Sequence, residues 1–224
     1  MFIKRNGDVS VIEHFAGTFT SDMDFRKYPF DRQEFKVIIE SFSYDETEME
    51  FVSKAAAYQK EQVENPEWDF SDPNGAAVRH KYKEWPKAYS SYTFRIEADR
   101  KYGYFIWQFF FPLAMIVVAS WIVFWISDFG NQLGTAFTLL LTVVAFNFYA
   151  STLLPRLPYN TFIEIAIISG YVTIFLTLLI IVLQHQLVQR GRDISAARLN
   201  MASRLLFPVG NVLAVYWLKL SFLG

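Results

Sequence analysis

Four long apolar stretches crowd the second half of the chain, and they constrain its fold more than any other feature. Residues 104–126 run for about 23 positions without a charged side chain, enough to cross a hydrocarbon core of about 30 Å at about 1.5 Å per residue. Further uncharged windows cover 132–154, 165–183 and 205–217, the last continuing past Lys219. Spanning helices are therefore expected at about 104–126, 131–153, 160–185 and 202–223. Trp107, Trp121, Trp125, Tyr171, Tyr216 and Trp217 fall mostly toward the ends of these windows, where amphipathic rings settle at a membrane interface.

Orientation follows from loop charge, because cytoplasmic loops retain Lys and Arg. The segment joining the third and fourth windows carries Arg190, Arg192, Arg198 and Arg204 against Asp193, which places it inside. The soluble N-terminal part and the C-terminus then lie outside, with Arg156 a single basic residue on that side. A formal net charge of −1 with no basic run excludes a nucleic-acid partner, since phosphate binding needs clustered cations. The absence of cysteine rules out disulfides and thiolate metal sites. No cofactor or metal is expected: His14, His80 and His185 are scattered, and neither HExxH, GxSxG nor a Walker-type loop occurs, which argues against a membrane enzyme.

Residues 1–103 hold most of the charge and read as strands, at 9–15, 34–40, 48–52, 77–82 and 91–98. Turn signals separate them at Tyr28-Pro29, Asn65-Pro66 and Asp72-Pro73-Asn74-Gly75. Around five strands is fewer than a self-contained sandwich uses. The expected fold is thus a partial extracellular antiparallel β-sandwich over residues 1–103, either completed by strands outside this sequence or itself incomplete, followed by a four-helix transmembrane bundle over 104–224. The opening residues show no signal-peptide pattern.

The second window differs from its neighbours in carrying hydroxyls and small residues throughout. At 100° per residue, Thr135, Thr138 and Thr142 share one sector with Gly134, Leu141, Ala145, Phe148 and Thr152. That stripe is polar toward the inner end and apolar toward the outer. Such a face suits a narrow aqueous lumen, in which hydroxyls replace part of an ion's hydration and an apolar ring gates by dewetting. The same residues would also serve close helix packing in lipid. One helix encloses no pore, so the lumen requires a symmetric oligomer.

Three segments together resemble the pentameric ligand-gated ion channels, the Cys-loop receptor superfamily, and most closely the amine-gated subgroup of its bacterial branch. GTFTSDMDFRKYPFDRQEF is similar to the family's Pro-loop, here without the flanking cysteines. FPLAMIVVASWIVFWI is similar to the first membrane helix, and TAFTLLLTVVAFNFYASTLLPRLPYNT to the pore helix and its following linker. The resemblance implies a homopentamer in a bacterial inner membrane, with a small-molecule agonist of cationic amine type and permeant cations. It also implies pore rings at Gly134, Thr138, Leu141, Ala145 and Phe148. Cation-conducting relatives carry a glutamate where this chain has Asn131; Asp128, one helical turn earlier, is either its substitute or a solvated loop-end carboxylate.

The resemblance further implies an intersubunit agonist site, with Glu40 and Phe42 matching one loop and Tyr82 and Tyr89 flanking another; aromatic rings there would hold an ammonium by cation–π contact. Coupling from agonist to pore would pass through Pro29, Phe30 and Asp31 of the Pro-loop, Arg100, and the linker residues Pro155, Arg156 and Pro158. Asp31 and Arg100 match a salt-bridged pair, and the two prolines stiffen the linker. The alternative expectation is a truncated, non-conducting remnant, or a four-span protein without channel activity.

Overall fold

The computed structural model describes residues 2–11, 17–52, 65–81, 87–153 and 156–223. Tyr82 and Pro155 lie outside the described residues. The chain divides into two compact units. The first comprises Met1–Met23, Glu34–Tyr58 and Asp72–Glu97, and the second Asp24–Gln33, Gln59–Ser71 and Ala98–Gly224.

Six strands form among the described residues: β1 (Phe2–Ile3), β2 (Val9–Ser10), β3 (Arg32–Glu40), β4 (Trp68–Phe70), β5 (Asn74–Lys81) and β6 (Ala88–Arg100). β1 and β2 make a short antiparallel ribbon. β6 is the longest strand and pairs with β3, β4 and β5. Its β-branched and aromatic residues suit a pleated, half-buried surface. Antiparallel register with β5 runs from Asn74 opposite Arg95 to Lys81 opposite Ala88. Gly75 makes room in that ladder for the Tyr92 ring, since a Cβ there would sit 2.0 Å from the Tyr92 hydroxyl and the ring would have to move.

Residues 48–52 do not form the expected strand. The amides of Glu48 and Met49 both donate to the Asp45 carbonyl, while the Asp45 carboxylate accepts from the Thr47 amide at 3.0 Å. Local turn bonds of this kind compete with a ladder. Lys87 lies 2.6 Å from the same carboxylate, and that hydrogen bond, with those from Thr47, holds the Asp45 pKa down at about 2.

The second unit contains four helices long and apolar enough to cross a membrane: α1 (Gly103–Trp125), α2 (Phe129–Leu153), α3 (Phe162–Gln189) and α4 (Asp193–Leu223). α3 is the most buried, with α1, α2 and α4 all packed against it. It opens on a capping box in which Thr161 accepts from the Glu164 amide and Glu164 from the Thr161 amide. It ends before Gly191, whose φ of +70° is costly for any residue with a Cβ. Gly170 lets α3 and α1 approach closely: a Cβ there would lie 3.1 Å from Leu113 Cδ1.

α4 begins at Asp193 rather than near residue 202. Hydropathy detects apolar residues only, whereas Asp193 favours the positive end of a helix and the following alanines, arginines and leucine are good helix formers. Two core clusters fill the bundle. One groups Phe109, Leu113, Val143, Ile163, Ile167 and Ile174, and the other Val123, Phe124, Ala136, Leu178 and Ile181. Large apolar side chains such as Leu205, Leu213, Val215 and Trp217 nonetheless cover the outside of α4. An exterior as apolar as the core fits hydrocarbon rather than water as the surrounding solvent.

Candidate pore face and coupling junction

α2 has two distinct faces. Gln132, Ala136, Val143 and Ala150 are buried against the bundle. Gly134, Thr135, Thr138, Leu141, Thr142, Ala145, Phe148 and Thr152 are all exposed. Leu141 and Phe148 are 69% and 68% exposed, high values for large apolar side chains on a helix with partners on its other side. At Gly134 the opening is wider still, since a Cβ built there meets nothing within 4 Å.

The hydroxyls on this face have a defined polarity. Thr135 Oγ1 donates to the Asn131 carbonyl at 2.7 Å, Thr138 to Gly134 at 2.9 Å and Thr142 to Thr138 at 2.8 Å. With each proton committed to the helix backbone, the oxygens present lone pairs outward. Asp128 caps α2, its carboxylate accepting from the Asn131 amide at 2.8 Å.

A second cluster lies where α1 and α3 begin, entirely within the second unit. Arg100 Nε and Nη2 donate to the two oxygens of Asp31 at 2.7 and 3.1 Å. Their side chains are only 7% and 2% exposed. The guanidinium is sandwiched between Trp68 and Tyr28, 4.0 and 4.6 Å from their ring centroids. Gln33 donates to Asp31 at 2.6 Å and to the Asp24 carbonyl at 2.7 Å, tying the loop to itself. Burial, only partly offset by Arg100, pushes the Tyr28 phenol up to about 12.

Pro29 follows a cis peptide bond and is fully buried. Phe30 packs its ring against Phe110 of α1 at 5.8 Å and Phe162 of α3 at 5.5 Å. The same loop reaches the start of α3 through its backbone. Phe162 N–H donates to the Arg26 carbonyl at 3.0 Å, and the Phe25 amide to the Tyr159 hydroxyl at 3.1 Å. Pro29, Phe30, Asp31 and Arg100 are thus brought together, while Arg156 and Pro158 lie in an exposed linker.

Tyr28, Trp68, Gln33 and Phe162 were not singled out from the sequence. For Gln33 a signal existed, because residues two apart in a strand share a face with Asp31. Trp68 is brought to Arg100 only by the pairing of β4 with the end of β6.

The expected agonist residues belong to the first unit. The Glu40 carboxylate is 3.9 Å from His80 Nδ1, and His80 lies opposite Tyr89 in the β5–β6 register. Tyr89 is buried, whereas Phe42 is 93% exposed and makes no part of that grouping.

Comparison with known proteins agrees with this architecture. Residues 1–102 match the neurotransmitter-gated ion-channel ligand binding domain. The chain is 26% identical over 223 residues to the proton-gated ion channel of Gloeobacter violaceus, an alignment covering 99% of this chain. It spans 62% of that relative's length. A match to a receptor ligand-binding domain over the first part of the chain, followed by four helices long and apolar enough to cross a membrane, makes the chain similar in layout to ligand-gated ion channels.

Proposed function

We propose that the chain is a subunit of a homopentameric ligand-gated channel whose central pore is lined by Gly134, Thr138, Leu141, Ala145 and Phe148 of α2. The observation that carries this reading is the exposed stripe of α2, hydroxyl-bearing at its inner end and apolar at its outer end, opposite the residues Gln132, Ala136, Val143 and Ala150 that are buried in the bundle. Closed rotational symmetry turns several such stripes toward one axis. Leu141 then forms an apolar constriction that gates by dewetting.

The permeant ions are cations. Three threonine oxygens offer lone pairs and no free proton, which favours a positive charge over a negative one and replaces the acidic ring that Asn131 does not supply. Asp128, committed to the helix N-terminus, is an anchor for α2. Residues 1–103 act as the agonist-binding part outside a bacterial plasma membrane, and residues 104–224 as the pore part, with the arginine-rich segment before α4 inside.

The agonist is a small cationic amine held by Glu40 and the aromatic residues Phe42, Tyr82 and Tyr89 between subunits. A second reading makes the proton the agonist. It is favoured by the approach of His80 to Glu40 and by the description of the Gloeobacter relative as proton-gated. Coupling runs from the Pro-loop through Asp31 and Arg100 to α1, and through Phe30 to α3, with Pro155, Arg156 and Pro158 in the linker that follows the pore helix.

Current recorded from the purified chain in planar bilayers tests the reading. Steps in pH and additions of primary amines should open a cation current, and Leu141→Ala should open at lower stimulus by weakening the apolar ring. Silence in both proteins under both stimuli would leave a four-span membrane protein without channel activity.

A further inference from the structure

α1 is not a regular helix. Ile106–Phe110 form a π-helical turn between two α-helical segments, a feature that costs hydrogen-bond geometry and recurs at functional sites. The wider turn lets two successive residues of α1 reach one residue of the pore helix. Gln108 Nε2 donates to the Tyr149 hydroxyl at 2.7 Å. Phe109, almost fully buried, stacks on the Tyr149 ring at 5.8 Å with the planes 24° apart. Tyr149 directly follows Phe148, the outermost ring of the proposed pore face.

We infer that Gln108 is a positioning residue for the pore helix: its amide, aimed by the π-helical turn, holds Tyr149 and so sets the direction in which Phe148 faces. This rests on the pore reading of α2. The Gln108 amide and the Tyr149 hydroxyl hold each other directly. A ring contact alone fixes the distance between α1 and α2, but a ring can still slide and turn. The hydrogen bond at its tip fixes rotation as well, and rotation of α2 is what moves a pore-facing side chain toward or away from the axis.

The chain lacks cysteine, so Phe148→Cys introduces a unique thiol. In the full chain reconstituted into phosphatidylcholine–phosphatidylglycerol liposomes, its modification rate by a charged methanethiosulfonate reads the direction of position 148. Gln108→Leu and Tyr149→Phe, each added to Phe148→Cys, should change that rate at least about threefold and in the same direction, as loss of a net hydrogen bond of this size implies. The double variant should change it no further than either single variant. Gln108→Glu, whose carboxyl keeps the bond with the direction reversed by accepting from the Tyr149 hydroxyl, should stay near the parent rate, and Val212→Cys on α4 should be indifferent to all three substitutions.

Equal rates in the parent and in Tyr149→Phe, which removes only a hydroxyl and leaves the core intact, would overturn the inference; so would effects that multiply in the double variant. Absence of any labelling of Phe148→Cys in the parent is a different failure, that of the pore face itself.

Discussion

Replacing Asp31 by leucine would leave the Arg100 guanidinium buried without its carboxylate. The pair is bidentate, and neither side chain is more than 7% exposed, so water cannot take the place of the missing partner. Breaking a buried pair from one side costs about 3–5 kcal/mol, against about 0–1 kcal/mol for an exposed pair. The reverse substitution, Arg100→Met, strands Asp31 but leaves it the Gln33 hydrogen bond, while removing the ring contacts to Trp68 and Tyr28. Each single variant should therefore melt on the order of 10 °C lower in detergent micelles, given a few degrees per kcal/mol for a chain of this size. Asp31→Leu combined with Arg100→Met should recover much of that loss, because two apolar groups leave no unpaired charge. Thermal melts followed by tryptophan emission and by far-ultraviolet circular dichroism would report all three. Single variants that lose less than about 2 °C, or a double variant that loses the sum of both, would refute the claim that this junction is held by a desolvated ion pair.

The remaining predictions concern Tyr28 and Gly134. Tyr28 stays protonated in the folded chain until about pH 12, whereas an unfolded tyrosine ionises near pH 10, so its contribution to stability is intact below about pH 10 and is lost as pH rises toward 12. Tyr28→Phe, which keeps the ring beneath Arg100, should flatten that part of the stability profile in alkaline denaturation; an unchanged slope would contradict it. Gly134→Leu meets no neighbour within the chain and removes a helix-interior glycine, so stability should hold or rise by about 0.5–1 kcal/mol. Single-channel current should nevertheless fall as the inner ring narrows, and an undiminished current would place Gly134 away from the ion path.

Much of this architecture was legible in the residues for a simple reason: a spanning helix declares itself by length and apolarity, and a stripe by its 100° spacing. The exposure of Leu141 and Phe148 required the fold, since the same spacing also describes a packing face and only the partners of Ala136, Val143 and Ala150 decide between the two. The π-helical turn in α1 had no signature, because Ile106–Phe110 are apolar or amide residues that any helix accepts. The surroundings of Arg100 were equally opaque, for Asp31 lies 69 residues away in sequence and Trp68 is delivered by a three-residue strand. At residues 48–52, propensity was outweighed by a turn built on Asp45. The extension of α4 back to Asp193 was hidden by its arginines, which hydropathy counts against a span but which a helix tolerates well.

Aqueous cysteine accessibility along α2 tests the central claim most directly. Thiols placed singly at positions 134, 138, 141, 145 and 148 of the reconstituted chain should react with a water-soluble reagent in at least one functional state, whereas thiols at 136, 143 and 150 should not. Labelling spread evenly around the helix, or protection of positions 138 and 141 under every condition that opens the channel, would mean that this face meets lipid or protein and that the pore lies elsewhere.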